Sequence, residues 1–346
     1  MRRSDLDLAG HVILPGLINA HDHLEFNLFP QLGRGPYSNA AEWARDIYHP
    51  DRSPIREQLR VPKPVRLWWG ALKNLLSGVT AVCHHNPYET AVFGGDFPVR
   101  VMRRFAWAHS LAFEPDLAAR FRRAPAAYPF LVHCAEGTDG AAAREVPALD
   151  SLGVLDQRTA IIHGVALDRH SLDLMRRRRA ALVWCPTSNL NILGRTVSRA
   201  VLRSGIPIAL ATDSALSAPV DLLDELAVAR RYVPAERLYE MVTAAPARIL
   251  RLAKSRDWIA VRSPSREPAR AVFEGSISLV VTGGRIRLIS PELARQIPSA
   301  LRRRLQCLTV EGRPPVLVAA PVRALRRAAE KHLGSDLRLA GKRILV

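Results

Sequence analysis

The sequence predicts an α/β protein built as a β/α barrel. From residue 79 onward, short apolar runs alternate with segments of helix length, which is the pattern of a parallel sheet covered by helices. Polar side chains recur where the apolar runs end, and the active site of a β/α barrel gathers at that end of its strands. No G-x-G-x-x-G loop follows the first strand, whereas a doubly wound sheet usually carries such a loop.

The first barrel strand ends in two histidines, His21 and His23, that flank one residue. Side chains alternate along a strand, so the two imidazoles point the same way and can supply two ligands to a transition metal. A bare H-x-H more often means one surface histidine and one hydrogen-bonded core histidine. Here the Pro15-Gly16 turn and the apolar pair that follows it favour the metal site.

The later strands and helices follow from the same alternation. We count seven barrel strands, one fewer than a full barrel has, and place the missing one between Cys83 and Val99. Residues 27–64 look irregular and are predicted to be an active-site lid. The other strand candidates are 79–83, 99–107, 130–134, 159–163, 181–185 and 206–212, and the helix candidates include 62–76, 115–123, 168–179, 196–204, 221–231 and 235–252.

Three regions are predicted along the chain. Residues 12–252 form the barrel. Residues 256–290 read as strands and a hairpin with a Gly283-Gly284 turn, the remnant of a small β-domain. Residues 291–346 form an Arg-rich, mostly helical extension without an interpretable motif.

Composition excludes several classes of protein. The net charge of +18 would suggest a nucleic-acid partner, but only five of the 50 basic residues are Lys, a bias that a GC-rich genome produces, and no nucleic-acid-binding motif accompanies them. A nucleic-acid partner is therefore not expected. Four cysteines without a C-x-x-C pair, no apolar run of membrane-spanning length and no apolar signal segment after Met1–Asp5 predict a cytoplasmic protein. A homo-oligomer stays open.

Three further strand ends carry groups that could complete a metal site. His133 ends the strand at 130–134, and Glu136 follows three residues later, where it could carry protons. His163 ends the next strand. Asp213 follows an apolar strand, where a carboxylate is costly unless it is paired or bound to a metal. Three histidines and one aspartate suit Zn²⁺ or Fe²⁺.

Five motifs in this order resemble the amidohydrolase superfamily, in its mononuclear deaminase and chlorohydrolase branch. They are PGLINAHDH (15–23), HCAEG (133–137), IIHG (161–164), CPTSN (185–189) and ATDS (211–214). The resemblance implies a distorted (β/α)8-type TIM barrel with a reduced small β-sandwich formed mainly by C-terminal strands. About a dozen residues precede Pro15, fewer than family members have there, so we expect the N-terminal part of that sandwich to be short.

The resemblance also implies roles for single residues. One divalent metal ion, zinc in the first place and iron as the alternative, would be bound by His21, His23, His133 and Asp213. Glu136 would be the proton shuttle, and His163 and Asp213 would orient the attacking water. His109 and Asn189 are predicted to contact the substrate.

One metal ion, rather than two, is predicted because the barrel strands lack a lysine that could bridge a pair of metals. Binuclear members of the superfamily bridge two metals with a modified lysine, and this chain has no lysine between Lys73 and Lys254. His84-His85 resembles a metal pair, but adjacent strand residues face opposite ways, so at most one can point into the barrel mouth.

The predicted activity is metal-assisted hydrolysis of a carbon–nitrogen bond other than a peptide bond in a small-molecule substrate, with deamination of a heterocyclic or small amine as the specific reaction. Two alternatives stay open. One is an amide or halide hydrolase of the same superfamily, and the other is a degenerate, non-catalytic member.

Overall fold

The computed structural model describes residues 6–345, so the segment 1–5 inspected for a signal peptide and the last residue of the C-terminal extension lie outside it. The strands are β1 (His11–Pro15), β2 (Leu17–Asp22), β3 (Val79–His84), β4 (Arg100–Val101), β5 (Ala106–Ala108), β6 (Phe130–Cys134), β7 (Thr159–His163), β8 (Ala181–Trp184), β9 (Ile208–Leu210), β10 (Trp258–Arg262), β11 (Ser276–Thr282), β12 (Arg285–Ile289), β13 (Gln306–Leu308), β14 (Val316–Val318), β15 (Arg338–Leu339) and β16 (Lys342–Arg343).

The helices lie mostly between these strands, and a 3₁₀ turn (Leu24–Phe26) follows β2. The helices are α1 (Ala40–Ile47), α2 (Ile55–Arg60), α3 (Lys63–Leu76), α4 (Leu117–Arg123), α5 (Gly140–Ala143), α6 (Glu145–Ser151), α7 (Arg169–Arg178), α8 (Pro186–Leu193), α9 (Arg199–Leu202), α10 (Leu222–Ala229), α11 (Ala235–Met241), α12 (Ala244–Ile249), α13 (Pro268–Glu274), α14 (Pro291–Ala294), α15 (Ser299–Arg302) and α16 (Val322–Leu333).

The parallel strands form two sheets in chain order. One sheet has the order β2–β3–β4 and the other β5–β6–β7–β8–β9, and all neighbouring strands in them are parallel. Strands β6 and β7 are buried along their whole length, as expected for a parallel sheet with both faces covered. The carboxyl ends of these strands therefore bring residues from distant parts of the chain to one side of the fold.

The predicted strand at 99–107 was wrong in one respect, because the structure divides it into β4 and β5. Arg103 and Arg104 are exposed at the bend between them, since two charged side chains cannot continue a buried strand. The two sheets together hold three and five parallel strands, eight rather than the seven counted from the sequence. No helix precedes β4 or β5 after β3, so this unit is shortened, as its poor sequence signal indicated.

A second correction concerns the stretch 27–64, which is not irregular throughout. It contains α1 and α2, and α1 begins where the Asn39 side chain accepts a hydrogen bond from the backbone N–H of Glu42, an N-cap that ends the loop. Helix α3 then packs closely on the 3₁₀ turn after β2. A Cβ atom on Gly70 would lie 2.1 Å from the carbonyl oxygen of Leu24, so only glycine permits this approach.

The remaining sheet is antiparallel and has six strands in the order β1–β10–β11–β12–β14–β13. Its hairpin β11–β12 turns at Gly283-Gly284, as predicted, with positive φ at both residues. Strands β13 and β14 come from the region predicted to be mostly helical, which also contains α14, α15 and α16. These strands have three residues each, too few to show an alternating pattern, and they are determined by the pairing of β14 with β12 and of β13 with β14.

Candidate metal centre

Four buried side chains converge at the carboxyl ends of the parallel strands. One potential ligand atom from each of them lies within 4.8 Å of the others. The four are His21 at the end of β2, His133 in β6, His163 at the end of β7 and Asp213, which follows β9.

Two imidazole nitrogens face one carboxylate oxygen of Asp213, and a third nitrogen lies beside them. Asp213 Oδ1 lies 3.3 Å from His21 Nε2 and 3.6 Å from His23 Nε2. His133 Nε2 lies 3.2 Å from His21 Nε2. His23 is outside the group of four, but its Nε2 atom faces the same carboxylate oxygen.

The other oxygen of Asp213 is held by hydroxyl groups. Ser188 Oγ donates to Asp213 Oδ2 over 2.7 Å, and Ser217 Oγ donates to the same atom over 2.6 Å. Both serines are fully buried. Because Oδ2 is occupied in this way, Oδ1 is the atom that remains for the histidines or for a cation.

Three of the imidazoles are oriented through their Nδ1 atoms. In each ring Nδ1 lies at hydrogen-bond distance from an oxygen acceptor, so Nδ1 carries the proton and Nε2 keeps its lone pair. The pairs are His23 with Asn86 Oδ1 at 2.9 Å, His133 with the His109 carbonyl at 2.9 Å and His163 with Asn189 Oδ1 at 2.8 Å. Histidines that bind metals are commonly held by a partner of this kind.

The protonation states also suit a cation. Burial lowers the pKa of His21 to about 4 and that of His133 well below its usual value, so both rings are neutral at pH 7. Burial alone would raise the pKa of the Asp213 carboxyl, but the hydrogen bond with His21 and the nearby imidazoles hold it well below its usual range. Neutral imidazoles and an ionised carboxylate are the forms that bind a divalent metal.

Glu136 lies beside this group in an environment that favours its protonated form. Its Oε1 atom is 3.4 Å from His163 Nε2. Burial, followed by the negative charges of Asp213 and Glu145, raises the pKa of Glu136 well above its usual value. Since His163 Nε2 carries a lone pair, a protonated Glu136 can donate to it.

A cavity of about 250 Å³ opens next to His133 and Glu136. Helix α1 covers one side of it, and the cavity is lined by Asn39, Ala40, Ala41, Arg45, His109, Ser110, Ala112, Phe113, His133, Glu136, Ala141, Ala142 and Glu145. His109 therefore lines the cavity, where it was expected to meet substrate. Asn189 does not line it and instead holds His163.

The adjacent histidines at the end of β3, His84 and His85, diverge, as the alternation of side chains predicts. His84 Nε2 faces Glu25 Oε2 at 3.4 Å. His85 Nε2 lies 3.2 Å from the carbonyl oxygen of Ala108, and its ring packs against His133 with centroids 4.6 Å apart. Neither residue belongs to the group of four.

Sequence reasoning missed several residues that support this centre. Glu145 Oε2 accepts a hydrogen bond from the backbone N–H of Ala135 over 2.6 Å and so fixes the chain beside Glu136. Lys73 forms a buried ion pair with Asp22. A lysine in an otherwise apolar helix segment was the one signal that could have drawn attention to Lys73.

The chain is similar in sequence to the amidohydrolase family and to curated deaminases. The profile of the amidohydrolase family matches residues 130–257. The 5-methylthioadenosine/S-adenosylhomocysteine deaminase of Syntrophobacter fumaroxidans is 26% identical over 314 residues, which cover 71% of this chain and 68% of that protein. The deaminase of the same name from Natronomonas pharaonis is 25% identical over 274 residues, 64% of this chain and 62% of that protein.

Solved structures share the fold. An adenosine deaminase from Xanthomonas campestris with bound zinc superimposes with a TM-score of 0.66 at 18% identity, covering 93% of this chain and 85% of that one. Atrazine chlorohydrolase from Arthrobacter aurescens, complexed with zinc, gives 0.67 at 16% identity over 93% and 88% of the two chains. The fold is therefore of the TIM-barrel type.

The predicted resemblance to the amidohydrolase superfamily is confirmed by the family profile over residues 130–257 and by curated relatives that are named as deaminases. The zinc-bound structures share the fold. The prediction of a hydrolase that acts on carbon–nitrogen bonds is confirmed with it. The buried group of histidines and Asp213 agrees with the predicted metal dependence. In the part of the chain that the structure describes, no helix is both long and apolar enough to span a membrane.

Proposed function

We propose that this amidohydrolase-type chain deaminates a small heterocyclic amine by metal-assisted hydrolysis, with one metal ion per chain. The observation that carries the proposal is that the Nε2 atoms of His21 and His23 face Asp213 Oδ1, that His133 Nε2 lies 3.2 Å from His21 Nε2, and that Glu136 lies beside this group. This arrangement combines a cation site with a proton carrier.

The donor set fits zinc. Three imidazole nitrogens and one carboxylate oxygen are typical zinc ligands, and Fe²⁺ accepts the same donors. We assign the ligands as His21, His23, His133 and Asp213. A second metal bridged by a lysine finds no support, because the Nζ atom of Lys73 is 2.8 Å from Asp22 and engaged there. When bound, the metal ion would supply a water molecule whose pKa falls from ~15.7 to about 7.

The chain's own residues would direct that water and move its proton. Asp213 and His163 would orient the water toward the electrophilic carbon. Glu136 would accept the water proton and deliver it to the leaving nitrogen, a task for which its raised pKa is useful. A nearby cation lowers the pKa of a carboxyl group, so metal binding would bring Glu136 closer to neutral pH.

The volume of the cavity limits the size of the substrate. Its volume of about 250 Å³ lies below the roughly 300–1,000 Å³ of pockets for drug-sized ligands, which supports a compact substrate. His109 and the edge-on ring of Phe113, 5.0 Å away, offer flat surfaces for a heterocycle. The relatives are named as deaminases of adenine-containing compounds, which supports an exocyclic amine as leaving group. The fold shared with a chlorohydrolase supports a halide as the second candidate.

We also propose that residues 12–252 close into a distorted barrel. Two backbone bonds support this closure. The N–H of Asp213 donates to the His21 carbonyl over 3.2 Å, and the N–H of Ile18 donates to the Val242 carbonyl over 2.8 Å. A crystal structure in which β2 and β9 lie apart would contradict it.

The experiment is ammonia release from a panel of amino-substituted purines, pyrimidines, pterins and triazines, with chloro-triazines included for the halide. The purified chain is assayed after chelation and again after zinc is restored. We expect ammonia only with the metal present. No turnover of any amine or halide by the zinc-loaded chain would overturn the proposal, and chloride release alone would favour the second candidate.

A matched variant tests the proton carrier. Glu136→Gln keeps the size of the side chain but cannot accept a proton, so turnover should fall by about 10²–10⁴-fold while zinc content stays at the wild-type level. Wild-type turnover by this variant would show that Glu136 does not move the proton.

A further inference from the structure

A charged pair lies buried directly behind the metal centre. Lys73, on α3, is 2% exposed, and Asp22 is fully buried. Lys73 Nζ lies 2.8 Å from Asp22 Oδ2 and donates to Thr212 Oγ1 over 3.0 Å. Lysine is almost never fully buried unless it is paired. The burial of Lys73 behind the proposed ligands therefore needs an explanation.

The two partners of Lys73 are sequence neighbours of the proposed ligands. Asp22 stands between His21 and His23, and Thr212 immediately precedes Asp213. Because strand side chains alternate, Asp22 points away from the metal centre, toward α3. One ammonium group thus joins the two chain segments that carry three of the four ligands.

Three asparagines complete this network. Asn27 Nδ2 donates to Asp22 Oδ1 over 2.9 Å, and Asn74 Nδ2 donates to Asp22 Oδ2 over 2.7 Å. Asn19 Nδ2 donates to Thr212 Oγ1 over 2.9 Å, and Asn19 Oδ1 accepts from the backbone N–H of Thr212 over 3.2 Å. Both ligand-bearing segments are therefore held by side chains as well as by the sheet.

Stability alone does not account for such a pair. Buried ion pairs can often be replaced by apolar residues of similar volume without loss of stability. Their advantage is a fixed geometry, and metal ligands must be held within about 0.5 Å of the productive arrangement. The pair is also neutral overall, so it adds little repulsion to a cation nearby.

We propose that Lys73 is a positioning residue of the metal centre: through Asp22 and Thr212 it sets the separation between the histidines of β2 and Asp213. This inference rests on the proposed function, since it presumes that these residues bind a metal ion. It assigns Lys73 no contact with substrate or metal.

The test replaces the pair as a unit in the full-length chain. Lys73→Met alone leaves a buried carboxylate unpaired and can fail to fold, so the main variant is Asp22→Asn/Lys73→Met. Zinc affinity is measured by competition with a chromophoric chelator, and ligand geometry by the visible absorption of the cobalt-loaded protein. Urea unfolding of the metal-free protein reports stability separately.

We expect the double variant to bind zinc about 10–100-fold more weakly and to change the cobalt spectrum. Arg287→Met is the matched control, because Arg287 is a buried cation in the antiparallel sheet that contacts Thr282 and the carbonyl of Asp96. It should lose stability but keep wild-type zinc affinity and spectrum.

A second variant keeps the proposal testable if the double variant does not fold. Thr212→Val keeps the ion pair and removes only the hydroxyl that joins it to the Asp213 segment, and it should also weaken zinc binding. Wild-type affinity and spectrum in the double variant, or in Thr212→Val if the double variant does not fold, would overturn the role of Lys73. A wild-type chain that binds no metal would instead refute the proposed function, and the inference with it.

Discussion

The hydroxyl of Ser217 offers a sharp perturbation of the proposed metal centre. It donates to Asp213 Oδ2 over 2.6 Å and, together with Ser188, leaves Oδ1 as the oxygen directed toward the histidines. Ser217→Ala removes one of these two donors without adding bulk. The carboxylate can then rotate, and Asp213 no longer presents a single fixed oxygen.

The size of the effect follows from the kind of bond lost. A hydrogen bond to a charged group contributes about 1.5–3 kcal/mol, and outer partners of metal ligands typically change metal affinity by about 10–100-fold. Because each factor of ten corresponds to about 1.4 kcal/mol, the two ranges agree. We therefore expect Ser217→Ala to weaken zinc binding by about 10–100-fold.

The assay is zinc competition against a chromophoric chelator at fixed pH. Ser214→Ala is the matched control, because Ser214 is a neighbouring buried serine, 4% exposed, whose hydroxyl makes no bond to the Asp213 side chain among the described residues. The control should bind zinc as the wild type does. If Ser217→Ala binds zinc as tightly as the wild type, Asp213 is not a metal ligand that Ser188 and Ser217 orient.

Three further predictions concern the surroundings of the site. Asn86→Ala removes the acceptor of His23 Nδ1 and should lower zinc affinity about tenfold or more in the same competition assay; unchanged affinity would argue against His23 as a ligand. Burial raises the pKa of Glu145 to about 7, so the folded state holds this proton more tightly than the unfolded state, and stability falls as pH rises from about 4.5 to 7, by at most about 3.4 kcal/mol. Urea unfolding across that range should show a smaller fall for Glu145→Gln, and parallel curves would contradict the shift. Gly70→Ala would place a methyl group 2.1 Å from the Leu24 carbonyl oxygen and should lower the free energy of unfolding by about 1–3 kcal/mol or more; an unchanged urea midpoint would contradict this packing.

The parts of the fold that were predicted well have strong local signals. Residues 130–134 and 159–163 are strands with the predicted bounds, because a strand buried on both faces is a continuous apolar run with clear ends. The metal-centre histidines could be located for the same reason, since each one ends such a run.

Other features depend on contacts that no local pattern shows. β4 has only two residues, too few for any periodicity, and β14 is identified by its pairing with β12. Lys73 stands among mostly apolar residues of α3, but nothing in the local sequence names its partner, and its burial follows only from Asp22 meeting α3 in the folded chain. A single asparagine such as Asn86 cannot be recognised as a site residue from the sequence, because its role depends on a histidine that lies beside it only in the folded chain.

The most direct test of the central claim is the metal content of the purified wild-type chain after growth with zinc and iron, measured by elemental analysis. We predict one zinc or iron ion per chain, and its loss in Asp213→Ala. A folded wild-type chain that holds far less than one ion, and takes up none when zinc is added, would contradict metal-assisted hydrolysis at this site.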